Sequence, residues 1–220
     1  MSKKTYIALI GDLINSKKIP SRREMQETME EVFAGINRDF EDYFASKLTL
    51  TIGDEFQCLL KPTANVPLLI DTLEKRLGLD FRIGLGAGTI ATKINPELSL
   101  GADGEAYWRA REAIEYVHDK NWNGKCHIYF IGPSEETNEI VNTLFACSET
   151  FKHGWTKLQE ETFHALLDQD IYEADFYQKD LAESMNISES SLTKRLNSGN
   201  IKIYLQARVT VGKLLEATHV

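Results

Sequence analysis

The stretch Leu50-Thr51-Ile52-Gly53-Asp54-Glu55-Phe56-Gln57-Cys58-Leu59-Leu60 sets two acids between two apolar runs of strand character. Leu48, Leu50 and Ile52 alternate with Thr49 and Thr51, and Phe56, Cys58 and Leu60 resume the alternation. Two strands split by about two residues, glycine first, predict a tight hairpin with Asp54 and Glu55 at its bend. Acids at a bend are commonly just solvated. A cation-binding turn is the sharper reading, and the flanking elements decide between the two.

Upstream, Tyr6-Ile7-Ala8-Leu9-Ile10 is a continuous apolar run before Gly11-Asp12, as expected of a buried central strand. Ser21-Arg22-Arg23-Glu24 has the form of a capping box and opens a helix expected to run to about Phe44. Downstream, Pro67 opens a second helix and Gly78 closes it. Phe81 to Ile90 reads as a glycine-rich strand, Ala106 to Val117 as one face of a third helix, and Cys126 to Ile131 as a further strand. A helix over about 134–147 follows.

The order β-α-β-β-α-β, then α-β, predicts an α+β fold with a ferredoxin-like βαββαβ sheet and its helices on one face. In that topology the first strand lies at the sheet centre, and its C-terminal end meets the hairpin bend. Asp12 is therefore expected beside Asp54 and Glu55. Three gathered carboxylates repel one another, so a hard cation such as Mg²⁺ is the predicted counter-charge, with open positions left for phosphate.

The texture changes near Thr150, which divides the chain into an expected domain over 1–150 and a small all-α domain over 151–220. In the second, Leu181, Ala182, Met185, Ile187, Leu192 and Leu196 are spaced like a helix-turn-helix. Asn186 suits a left-handed turn and Ser188 a helix N-cap. Its second helix would present Ser190, Ser191, Thr193, Lys194 and Arg195 to DNA. A helical hairpin for protein contacts is the alternative, with Asp180, Glu183 and Glu189 opposing phosphate.

Composition bounds these readings. The 220 residues are 42% hydrophobic and 26% charged, as expected of a soluble core, and the net charge of −8 argues against a wholly basic nucleic-acid surface. Cys58, Cys126 and Cys147 sit in apolar contexts without C-x-x-C spacing, so reduced, buried thiols in a cytoplasmic protein are expected. The five histidines form no metal-binding cluster. No signal peptide or membrane span is expected, because the N-terminal apolar run is short and none nears the ~18 residues of a span.

Four segments resemble motifs of the class III nucleotidyl cyclases and the GGDEF diguanylate cyclases: Gly11-Asp12-Leu13-Ile14-Asn15-Ser16, Thr51-Ile52-Gly53-Asp54-Glu55-Phe56, Ile83-Gly84-Leu85-Gly86-Ala87-Gly88, and the helix carrying Arg109 and Arg111. The whole chain is most similar to the SatD family, bacterial proteins that pair such a domain with a C-terminal helix-turn-helix. The resemblance implies Asp12 and Asp54 as metal ligands, Glu55 as an alternative or neighbouring ligand, and main-chain N–H groups of Leu13, Ile14 and Asn15 on phosphate. It implies Arg111 as the catalytic arginine facing the phosphates. Tyr107 stands where the cyclases place an asparagine that orients the ribose, and Ile52 replaces the first glycine of GGDEF. The resulting expectation is a homodimeric, nucleotide-responsive DNA-binding regulator. An active nucleotidyl cyclase or transferase, or a degenerate interaction scaffold, is the alternative.

Overall fold

Eight residues, Tyr6–Leu13, form β1, and its run of apolar side chains is explained by burial on both faces. Ile7, Leu9 and Leu13 enter the larger core, while Ala8 and Ile10 enter a second core on the opposite face. The computed structural model describes residues 4–16, 21–120 and 124–218. β1 is the centre of a five-stranded sheet of order β2-β3-β1-β4-β5. The other strands are β2 (Phe44–Leu50), β3 (Glu55–Leu60), β4 (Phe81–Gly88) and β5 (Ile128–Ile131). β1 runs antiparallel to both β3 and β4, and β5 is parallel to β4.

One face is covered by α1 (Arg22–Asp39) and α2 (Val66–Leu77). Ser21 caps α1 by accepting from the Glu24 amide, and Asn65 caps α2. Gly78 ends α2 at φ +60°, a conformation that favours glycine. Met25, Met29, Phe33 and Ile36 project from α1 into the core, where Phe33 meets Phe56 with centroids 5.3 Å apart.

Helices lie on both faces, not one. α3 (Glu105–Asp119) covers the opposite side of β4 and β1. The reason is the alternation of glycine along β4. A Cβ at Gly84 would sit 2.2 Å from the Ala110 carbonyl oxygen, and one at Gly86 would sit 2.1 Å from that of Ala106. With no side chains at Gly84, Gly86 and Gly88, the α3 backbone itself seats against the strand, and the small Ala106, Ala110 and Ala113 permit the approach.

Asparagine amides close both sheet edges. Asn37 of α1 both donates to and accepts from the Leu48 backbone of β2. On β5, Asn142 does the same for Phe130, and Asn138 for Gly132 just beyond the strand. Each side chain copies the donor-acceptor pair of a neighbouring strand, which blunts edges that otherwise invite pairing with another chain.

Other differences from the sequence reading are local. α1 stops at Asp39, a short 3₁₀ turn follows over Glu41–Tyr43, and Phe44 already belongs to β2. Ile52 is no strand residue: it is 85% exposed at the hairpin tip. Cys147 is exposed, whereas Cys58 and Cys126 are buried.

α4 (Glu135–His153) runs through residue 150 without interruption. After it come α5 (Lys157–Asp168), α6 (Gln178–Ser184), α7 (Glu189–Ser198) and α8 (Ile201–Ala217). α5 has no counterpart in the sequence reading, although the Thr156 and Gln159 side chains form a full capping box. Phe163, Leu166, Leu181, Leu192 and Leu196 build a separate core for these helices.

α8 belongs to both cores. Its first turns place Ile201, Tyr204 and Leu205 in the C-terminal core, and its last place Val211 and Leu215 in the sheet core. At its middle, fully buried Arg208 pairs with Glu149 of α4 and lies 3.7 Å from Asp71 of α2. Asp71 accepts from the hydroxyls of Tyr204 and Tyr172, each at 2.5 Å, and from Lys152 at 3.2 Å. Lys152 also pairs with Glu74. Burial pushes Asp71 up, but Arg208, Lys152 and the two hydroxyls together outweigh it and hold Asp71 below the usual carboxylate range.

Candidate functional site at the end of the central strands

Asp12 is the penultimate residue of β1 and is register partner to Glu55 on β3 and to Arg82 on β4. Directly paired residues of neighbouring strands share a face, so the three side chains form a row across the sheet on the α3 side. Arg82 Nε donates to Asp12 Oδ1 at 2.8 Å. From α3, Arg111 closes over the row and grips Glu55 with two hydrogen bonds of 2.6 and 2.9 Å. Asp54 stands next along the bend, close enough to Asp12 to act on it electrostatically.

The hairpin itself fixes this geometry. Thr51 and Glu55 close it through a main-chain bond of 2.8 Å, and the Thr51 hydroxyl donates to the Glu55 carbonyl at 3.0 Å. Gly53 takes φ +71°, a turn conformation that side chains disfavour. The Gln26 amide of α1 ties the Gly53 carbonyl at 2.8 Å.

Electrostatics separate the two acids of the row. Burial pushes Asp12 above its ordinary value, Arg82 pulls it back, and Asp54 adds to the rise. The hydrogen bonds from Arg111 hold Glu55 below the usual carboxylate range. Arg111 is raised in turn by Glu55, with smaller contributions from Glu115 and Asp12. Asp12, Asp54 and Glu55 face Arg82 and Arg111, an excess of one negative charge.

Sequence reasoning placed Asp12, Asp54, Glu55 and Arg111 here, and the structure gathers all four. It missed Arg82, whose signal was only its place opposite Asp12 in register. Arg111 pairs with Glu55 across the row and not with Glu115, one turn further along α3. Arg109 instead donates to the Ala87 carbonyl.

Of the three expected phosphate-cradling amides, that of Ile14 needs a correction. The Ile14 N–H is already spent on the Asp80 carbonyl at 2.9 Å, and Leu13 closes β1 opposite Phe81 with its side chain in the core. Asn15, exposed and at φ +57°, turns the chain away from the strand. Lys17 and Lys18, two cations close enough in sequence to reach a triphosphate, lie outside the described residues.

Among the described residues, no three His, Cys, Asp or Glu side chains converge as a metal cage. Glu55 has both oxygens committed to Arg111, which makes it a poor ligand while that pair holds. Asp12 and Asp54 are a different matter. Asp12 engages Arg82 through one oxygen, and Asp54 makes no ion pair among the described residues. Two carboxylates that repel one another fit Mg²⁺, which is typically held by one or two carboxylates, waters and substrate phosphates.

In the C-terminal helices, Asn186 adopts φ +53° between α6 and α7, and Ser188 caps α7 by accepting from the Ser191 amide. Ser190, Ser191, Thr193 and Lys194 are exposed on α7, and Arg195 is half-buried. Thr193 is partly engaged, donating to Gln178 at 3.1 Å. No helix among the described residues is long and apolar enough to cross a membrane.

A sequence model of the SatD family matches residues 6–215, so the chain belongs to the SatD family. Among curated proteins, none matches. Solved structures similar to it include a bacterial light-regulated adenylyl cyclase, 17% identical with a TM-score of 0.41 over 58% of this chain and 43% of that one. A second is the catalytic core of a rhodopsin-guanylyl cyclase with converted specificity in complex with ATPαS, 15% identical with a TM-score of 0.38 over 50% of this chain and 71% of that one. A third is a dimeric guanylyl cyclase domain from the aquatic fungus Blastocladiella emersonii, 15% identical with a TM-score of 0.39 over 50% of this chain and 73% of that one.

Proposed function

We propose that this protein binds a nucleoside triphosphate together with Mg²⁺ at the Asp12 end of β1. The observation that carries the reading is the row Glu55–Asp12–Arg82 on three adjacent strands, closed from above by Arg111. Asp12 and Asp54 would hold the cation. Bound there, Mg²⁺ would supply charge neutralisation of the phosphates. Arg82 fixes Asp12, and Arg111 transfers from Glu55 to a phosphate oxygen, one bidentate anion replacing another. With Arg111 on the phosphates, the chemistry such a site supports is nucleotidyl transfer.

Exposed Ser190, Ser191, Thr193 and Lys194 on a capped helix that follows a left-handed turn favour a second activity. In that reading α7 contacts DNA, the protein acts as a homodimer, and nucleotide binding tunes the contact.

Thermal melts with a nucleotide panel, with and without Mg²⁺, test the first activity. A nucleotide at a hundred times its Kd stabilises by ~2.7 kcal/mol, and the stabilisation is expected only with the metal. Product formation from ATP or GTP, followed chromatographically, reads out catalysis. A panel in which no nucleotide raises Tm with Mg²⁺ present would refute the reading.

A further inference from the structure

The sheet core and the C-terminal core meet across a layer of charge. α2 contributes Asp71 and Glu74, α4 contributes Glu149 and Lys152, and α8 contributes Arg208 and the Tyr204 hydroxyl. Tyr172 reaches in from the segment after α5. Such a layer is seldom the most stable filling, because apolar residues of similar volume often serve as well or better. Its charge count is uneven: three carboxylates face two cations, which leaves one negative charge over. The neighbours supply no third cation. Lys75 bonds Asp168 and the His164 carbonyl of α5, and Arg76 pairs with Asp39 of α1.

The three carboxylates are not equally served. Asp71 accepts from two hydroxyls and lies near both cations, and Glu149 pairs with Arg208. Among the described residues the Glu74 side chain has Lys152 alone, and shares it with Asp71. Lys152 in turn lies 5.7 and 5.8 Å from the ring centroids of Phe163 and Tyr204 in the C-terminal core, so it couples that core to α2. The Glu74 and Lys152 side chains are each 22% exposed, which lets a proton from bulk water reach them while Asp71 and Arg208 stay dry. Arg208 Nε and Nη1 are buried without partners among the described residues. Native buried donors are nearly always paired, so this contact is incompletely satisfied.

We infer that the layer takes up one proton, at Glu74, and that this proton tightens the docking of the C-terminal helices on α2 as pH falls through neutrality. With the proton in place the layer is neutral, and Glu74 still accepts from Lys152 through its carbonyl oxygen. Without it, the spare charge bears on Asp71 and Glu149 and loosens the contact. Burial, helped by Glu149 and Asp71, pushes Glu74 up to about 7 against the pull of Lys152 and Arg208. Opening the contact hydrates Glu74 and returns it toward the ordinary carboxylate range. The closed form therefore binds the proton more tightly, and closure weakens as pH rises from that range to about 7. His164 of α5 acts in the opposite sense, because burial, with Lys75 and Lys152, holds it below its ordinary value despite Glu160. The sign of the pH dependence thus tells the two groups apart.

Hydrogen exchange of the full chain, read by mass spectrometry and corrected for the intrinsic effect of pH, tests the docking. Protection over 169–177 and 204–211 is expected to be at least about tenfold higher at about pH 5.5 than at about pH 8, with α1 unchanged between the two. Glu74→Gln should hold the higher protection at both pH values, and His164→Gln should leave the difference in place. Equal protection in the parent, higher protection at the alkaline pH, or a difference that survives Glu74→Gln would overturn the inference. An NMR titration of the Glu74 carboxyl carbon in the parent decides the matter should that variant fail to fold. A midpoint near neutrality supports the proton, and a midpoint in the ordinary carboxylate range refutes it.

Discussion

Two clusters in this molecule are built from the same residue types and behave as opposites. At the end of β1, Asp12, Glu55, Arg82 and Arg111 form ion pairs at the surface, with Arg111 44% exposed. Between α2, α4 and α8, Asp71, Glu74, Glu149, Lys152 and Arg208 form another, with Arg208 and Asp71 fully buried. Water stands ready to replace a partner of Arg111 at the first site and is excluded from Arg208, Asp71 and Glu149 at the centre of the second, whereas Lys152 and Glu74 lie at its margin. A wet pair can be exchanged for a ligand at small cost, whereas a dry pair that loses one member strands the other charge. The lesson is that burial, and not the presence of carboxylates and arginines, separates a candidate binding site from a structural clamp.

The largest expected effect comes from breaking the dry cluster. Arg208→Ala leaves Glu149 buried without its partner and should cost about 3–5 kcal/mol in urea melts. A loss under about 1 kcal/mol would show that water enters this region and erase the contrast. Next comes the α3 seat. Gly86→Ala drives a methyl group into the helix backbone and should cost about 1–3 kcal/mol, as overpacking does, with the candidate site disturbed as α3 lifts.

The pH dependence sharpens the comparison, because Glu74 and Glu55 shift in opposite directions. Burial pushes Glu74 up to about 7. A carboxyl raised on folding makes the native state bind more protons, so stability should fall as pH rises from the ordinary carboxylate value toward 7. Glu74→Gln should flatten that fall in urea melts across the interval. Glu55 is held down by Arg111. Its contribution is present above the unfolded carboxylate pKa and is lost as pH falls through the lowered folded value, so Glu55→Gln should change only the acid limb.

Smaller still is the stability effect of Arg111→Ala, expected within about 1 kcal/mol for a surface pair, while Mg²⁺-nucleotide binding drops. The double variant Lys194→Ala/Arg195→Ala should leave stability within about 0.5 kcal/mol. If α7 contacts DNA, it also abolishes a gel shift that weakens with salt; an unchanged shift would remove that assignment.

Much of the sheet was legible because its signals are local. The alternation around Gly53, the Ser21 cap, and the Pro67 and Gly78 punctuation each fix one element, and the connection order then brings Asp12 to Glu55. The placement of α3 was also written in the sequence, as glycine alternating with Ile83, Leu85 and Ala87. Those glycines, part of the family likeness, are also the backbone seat of α3. The dry cluster left no local trace. Arg208 stands in an ordinary helical context, and its partners Glu149 and Asp71 are distant in sequence and meet it only after three helices pack. Arg82 was missed for a related reason, since a charge on a strand gains meaning only from the residue opposite it.

The most direct test is calorimetric titration of the parent, Asp12→Asn and Asp54→Asn with ATP and GTP, in Mg²⁺ and in excess chelator. One nucleotide should bind the parent in Mg²⁺, with affinity falling at least tenfold in chelator and in each variant, and all three proteins should unfold at closely similar urea midpoints. Equal binding in chelator, or variants that bind as tightly as the parent, would show that these two aspartates hold no cation and that the carboxylate row is no more than a wet counterpart of the buried clamp.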